Sequence, residues 1–151
     1  MKVLLAVDRS DSSEAAARAI AEQFRAEDTE VYVLHTLMWQ RAISPCFTFA
    51  RGGSYGTQLR SMMNNAREQA KALVTKVAEI LRASGFRTRT AVVEGSPSPI
   101  ILDRAAEWNA DLIVLGSNQR NTLDRALFGS IAERIVRRAP CSVEVVRPHS
   151  G

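Results

Sequence analysis

Short apolar runs and helix-period stretches alternate along this chain from end to end, as four strand–helix units closed by a fifth strand. Residues 3–7 read VLLAV, 31–35 VYVLH, 88–93 TRTAVV, 112–115 LIVL and 142–146 SVEVV. The first and fourth runs are continuously apolar, as strands covered on both faces must be. Strands that alternate with helices in this way close into a parallel sheet through right-handed crossovers. The pattern therefore predicts an α/β fold: a doubly wound parallel sheet with helices on both faces.

The helices can be placed by their punctuation. Asp11 as N-cap with Glu14 three residues on resembles a capping box, and Ala15, Ala16, Ala19, Ile20 and Phe24 follow on one face. A long helix is predicted over 58–83, with Leu59, Met62, Met63, Ala66, Ala70, Leu73, Val74, Val77, Ile80 and Leu81 in one stripe toward the sheet. Its methionines read as core packing, and Gly85 stands where a C′ glycine should. A helix over 98–108, capped by Ser96 or Ser98, turns Ile101, Leu102, Ala105 and Ala106 inward, and the last helix spans 129–138. Only 37–56 breaks the rhythm, mixing Pro45, Gly52, Gly53 and Gly56 with Trp39, Phe47, Phe49 and Tyr55. Its aromatics either cover a ligand or partner surface or pack over the sheet edge. No second domain or repeat is visible, so 1–151 reads as one domain.

Composition narrows the function classes. No apolar run approaches a membrane span, and Met1-Lys2 leads directly into a strand without the features of a secretory signal, so a cytoplasmic protein is expected. Cys46 and Cys141 lack a neighbouring thiol or histidine at metal-ligand spacing and read as reduced thiols. The net charge of +4 invites a nucleic-acid partner, but the basic residues are dispersed. The densest group, Arg134, Arg137 and Arg138, lies in the last turns of a helix, where cations complement the dipole. Neither nucleic acid nor membrane is expected as a partner.

In open parallel sheets ligands lie beyond the C-terminal strand ends, where strand order reverses. The candidates there are Asp8, His35 with Thr36, Glu94 with Gly95, and Gly116 with Ser117. Asp8 suits a ribose hydroxyl or a phosphate-bound metal, and equally a local role bonding the first amides of the next helix. Gly95 before Ser96-Pro97 reads as a turn glycine. Gly116 and Gly129-Ser130 bracket one loop and one helix start, a combination that holds phosphates through free N–H groups and the helix dipole. Arg120 and Arg125 add positive charge to that loop. No general acid/base pair, activated nucleophile or metal cluster emerges, and GxxxxGK[ST] is missing.

With these residues in view the chain resembles the universal stress protein family over nearly its whole length. VLLAVDRSDSSEAAARAIA is similar to that family's first strand, aspartate and helix, and VYVLHT to its second strand. EGSPSPIIL is similar to its turn into the third helix, and ADLIVLGS with FGSIAERIVRRAPCSVEVVR to its C-terminal signature. The resemblance implies a five-stranded sheet of order 3-2-1-4-5, a homodimer joined through the last strand (Ser142–Val146) and, in one branch, binding of ATP or AMP, with or without Mg2+. Pairing with a twin would also protect an otherwise open edge strand.

The nucleotide-binding branch carries glycine, two residues, glycine, nine residues, then Gly-Ser or Gly-Thr. Gly116 and Gly129-Ser130 match, while Gln119 stands at the middle glycine. Carried over by position, Asp8, preceded by Val7, approaches the ribose and Thr36 the adenine. Gly116, Ser117, Gly129, Ser130 and Ile131 surround the phosphates, with Arg120 beside them. Gln119 either obstructs the loop or bonds a phosphate oxygen through its amide; at a positive φ it would strain the loop by roughly 1 kcal/mol or more. The resemblance thus implies a dimeric nucleotide-binding regulator with at most slow hydrolysis. The alternative is a stress protein of the other branch, acting through protein contacts. A catalyst on the same sheet, such as a nucleotidyl transferase, would need a His or Lys at the phosphate loop, and the sequence places none there.

Overall fold

The structure, a computed structural model, describes residues 1–38, 55–116 and 129–148. The described elements are β1 (Lys2–Val7), α1 (Asp11–Gln23), a 3-10 turn (Ala26–Asp28), β2 (Glu30–Leu37), α2 (Tyr55–Ala83), β3 (Arg87–Glu94), α3 (Pro97–Trp108), β4 (Leu112–Gly116), α4 (Ser130–Arg138) and β5 (Ser142–Val146). The strands form one parallel five-stranded sheet in the order β3-β2-β1-β4-β5, as expected. Strand order reverses between β1, which runs on to β2, and β4, reached from β3 through α3.

Side chains alternate across a strand, so each strand feeds two cores. Val3, Leu5, Val7, Val31, Val33 and Val114 pack against α1 and α2. Leu4, Leu34, Ile113 and Leu115 pack against Ile101 and Ala105 of α3 and Ile135 of α4. The central strands are buried on both faces, which is why their sequences are continuously apolar.

Several local expectations hold and others need correction. α2 ends in a Schellman motif: Phe86 N–H bonds Leu81 O at 3.1 Å, Gly85 N–H bonds Arg82 O at 2.9 Å, and Gly85 has φ +90°. Buried Phe86 and Leu81 share the same core, the apolar contact that accompanies this cap. At the start of α1 the N-cap is Ser10, not Asp11, and its side chain makes no cap bond. Glu14 does not reach back to a cap. It pairs instead with Arg18 at 3.3 Å and with Lys76 of α2. The buried face of α1 comprises Ser12, Ser13, Ala16, Ala17 and Ile20, leaving Ala15 and Ala19 at its margin. Ala106 of α3 is exposed, because burial falls on Ser98, Ile101 and Ala105 and the next residue lies about 100° round the helix. Most of the segment 37–56, with Trp39, Phe47 and Phe49, lies outside the described residues, as does Cys46.

The hydrogen bond from Lys76, with the Lys76 and Arg18 charges, holds the Glu14 carboxyl below its ordinary value of 4.5. A depressed carboxyl stabilises the fold above that value and loses the contribution as pH falls through the folded-state pKa. The group is solvent-screened, so Glu14→Gln should cost less than about 1 kcal/mol at pH 7. Denaturation midpoints of the two proteins should converge as pH drops below 4.5.

Candidate functional site

A cleft of about 730 Å³ opens at the C-terminal edge of the sheet over the reversal point. That is within the size range of small-molecule sites. Val7, Asp8, Thr36, Gly116, Gly129, Ser130 and Ile131 all line it, so the structure gathers these expected residues around one space. Ser117, Gln119, Arg120 and Arg125 lie outside the described residues. Glu94 is not among the described lining residues; it ties β3 to α2 through Arg67 at 2.8 Å. Gly95 has φ +137° and turns the chain, as its sequence context suggests.

The first turn of α4 forms one wall. The first bond inside this helix is Glu133 N–H to Gly129 O at 3.0 Å, which leaves the N–H groups of Ser130, Ile131 and Ala132 without intrahelical acceptors. All three residues border the cleft. Gly129, the N-cap, has φ −51° and ψ 154°, a conformation open to any L-residue. A Cβ built there meets no atom of the described residues within 4 Å. Neither the backbone conformation nor packing against the described residues therefore asks for glycine at this position.

Gly116, by contrast, has a packing reason to be glycine. Its Cβ would fall 2.5 Å from Ser12 Oγ, 2.8 Å from Ser12 Cβ and 2.9 Å from the Ser12 carbonyl carbon. The close packing of α1 on β4 thus excludes a side chain here, with or without a ligand. Ser12 also anchors the loop that carries Asp8: its Oγ contacts Ser10 Oγ, which donates to Asp8 Oδ1. Ser10 N–H reaches the same Oδ1 at 2.8 Å, and Asp8 N–H donates to buried Ser13 Oγ at 2.8 Å. The local role weighed for Asp8 is present in part: Oδ1 accepts the N–H of the N-cap Ser10 and the Ser10 and Ser13 hydroxyls, and no described amide of α1 itself. No described hydrogen bond uses Oδ2.

Opposite α4, helix α2 supplies a wall that its sequence reads as core packing alone. Met62, Asn65, Ala66 and Gln69 border the cleft. Arg9 borders it too, and its guanidinium donates to Gln69 Oε1, closing the gap between the β1–α1 loop and α2. Arg9 carries charge into the cleft on the α2 side, whereas the sequence reading places the cations, Arg120 and Arg125, in the loop before α4. A helix-period stripe shows which face of α2 points to the sheet but not how far α2 runs past the strand ends. The spacing of Asn65 and Gln69, one turn apart beside Ala66, was the available signal.

A parallel sheet wound on both faces, with a cleft at its reversal point and an open helix N-terminus in that cleft, defines a Rossmann-like α/β protein. The chain is 34% identical over 149 residues to a universal stress protein of Methanocaldococcus jannaschii, a match covering 97% of this chain and 81% of that one. The model for the Universal stress protein family matches residues 1–147, and the chain belongs to that family. Among solved structures, the universal stress protein UspA from Lactobacillus plantarum superposes with a TM-score of 0.74 at 23% identity, covering 97% of each chain. The universal stress protein from Archaeoglobus fulgidus in complex with dAMP superposes with a TM-score of 0.63 at 25% identity, covering 96% of each. No helix among the described residues is long and apolar enough to cross a membrane.

Proposed function

We propose that this universal stress protein binds an adenine nucleotide, ATP or AMP, in the cleft and acts as a dimeric regulator, with hydrolysis slow at most. The observation that carries the reading is the α4 N-terminus: the amides of Ser130, Ile131 and Ala132 have no intrahelical acceptor and stand beside a glycine that no described contact requires. The 5′ phosphate would sit there, Asp8 would face the ribose through Oδ2, and the base would lie toward Thr36 at the end of β2. Asp8 supplies the one carboxylate among the described lining residues, and Mg2+ accompanying a triphosphate would meet it there. The Archaeoglobus fulgidus relative with bound dAMP supports the same ligand class. The dimer would form along β5, an edge strand of the sheet whose outer N–H and C=O groups another strand can pair.

One observation favours the alternative, a stress protein acting through protein contacts without nucleotide. Gly116, half of the retained glycine signature, is accounted for by Ser12 alone. The two readings separate in one preparation. Small molecules released by heat or acid from the purified protein are identified by mass spectrometry, and light scattering gives the mass. The nucleotide reading expects AMP or ATP in the supernatant and a particle of twice the 16.6 kDa chain. It also expects a melting rise of roughly 5–10 °C with nucleotide at about a hundredfold excess over Kd. An empty protein that does not respond to millimolar Mg-ATP would sink it.

A further inference from the structure

His35 is the buried polar residue of the cleft that no fold contact fully uses. It lies at the end of β2, level with Val7 of β1 and Val92 of β3. By strand alternation it shares the α1/α2 face with Val31 and Val33. The residue is 8% exposed and borders the cleft. Its Nδ1 lies 2.8 Å from Val7 O. A carbonyl oxygen only accepts, so Nδ1 carries the proton, and in the neutral ring Nε2 is an acceptor. No described residue bonds Nε2. It is not sealed from solvent either, since the one buried, unpartnered side-chain polar atom among the described residues is Thr88 Oγ1. In the neutral ring Nε2 is thus an unburied acceptor on a residue that borders the cleft, with its tautomer set by the Val7 carbonyl.

Its surroundings suit a planar base. Leu37, Met62 and Ala66 add apolar surface to the same cleft, and the Asn65 amide, without a described hydrogen-bond partner, adds donor and acceptor groups. We infer that His35 is a specificity-determining residue: Nε2 accepts a hydrogen from the exocyclic amine of adenine, with Asn65 completing the contact to the base edge. An oxo group at the same ring position, as in guanine or hypoxanthine, would bring acceptor against acceptor. The inference rests on the nucleotide reading above and goes beyond it, because it says how this chain selects the base.

AMP and IMP differ at that ring position, and their affinities for the wild-type protein, measured by calorimetry, should differ by roughly tenfold or more in favour of AMP. In His35→Gln, whose amide offers a donor or an acceptor by rotation, the ratio should fall toward one. A merely structural role would lower both affinities together and leave the ratio standing, which would overturn the inference. Should the variant not fold, 15N NMR of the wild-type imidazole decides: AMP but not IMP should move the Nε2 resonance, and an unmoved resonance overturns the inference. A wild-type protein that takes up neither nucleotide fails at the earlier step and removes the nucleotide reading itself.

Discussion

Replacing Gly129 by alanine should leave the fold standing and lower nucleotide affinity more than a hundredfold. The two halves of this expectation come from separate observations. On the side of the fold, φ −51° and ψ 154° suit alanine, and the added Cβ meets no atom of the described residues within 4 Å. Restricting the unfolded chain stabilises by about 0.4–1 kcal/mol, and a poorer N-cap costs a similar amount, so the melting temperature should stay within about 4 °C. On the side of the ligand, the methyl group stands where a phosphate must approach the amides of Ser130, Ile131 and Ala132. Hydrogen bonds to a charged oxygen are worth about 1.5–3 kcal/mol each, so disturbing two of them exceeds the hundredfold level. Calorimetric titration with AMP or ATP, alongside a melting curve, checks both halves. A variant that binds like the wild type would show that no anion sits at this helix start.

The fold was legible because its signals are local and repeated. Continuous apolar strands, helix stripes and Gly85 each point to the same doubly wound arrangement, and the observed sheet agrees. The order 3-2-1-4-5 came from resemblance, since alternation alone does not state which strands adjoin. The cap of α1 was misplaced by one residue, because Asp8 folds back on Ser10 and shifts the helix entry. Legibility of the site was uneven for a physical reason. Asp8, Gly116 and Gly129 are marked by residue type at strand ends and helix starts. Asn65 and Gln69 enter the cleft because α2 passes over the sheet edge, and Arg9 of the β1–α1 loop meets Gln69 there, tertiary facts that the helix stripe does not encode. His35 was visible as a strand-end residue, but its fixed tautomer depends on the neighbouring strand's Val7 carbonyl. Gly116 was legible as a requirement, and the structure adds a cause that the signature does not state: the close approach of Ser12.

That packing cause yields the opposite mutational outcome at the other glycine. Gly116→Ala should destabilise the protein by about 1–3 kcal/mol, lowering the melting temperature by roughly 4–10 °C whether or not nucleotide is present. The Ser12 hydroxyl could rotate out of the 2.5 Å contact, but the Ser12 carbonyl carbon at 2.9 Å can yield only if α1 moves. The helix is poorly free to move, since Ala16, Ala17 and Ile20 are buried in the core at 0–1% exposure. Any displacement also pulls Ser10 and Ser13 from Asp8, so affinity should fall as a consequence of the lost packing. Adding Ser12→Gly removes the Oγ and Cβ contacts while leaving the backbone one, so the double variant should recover part of the stability lost. A double-mutant cycle on melting free energies reads this coupling directly. Purely additive effects would mean that the Gly116–Ser12 approach does not set the position of α1.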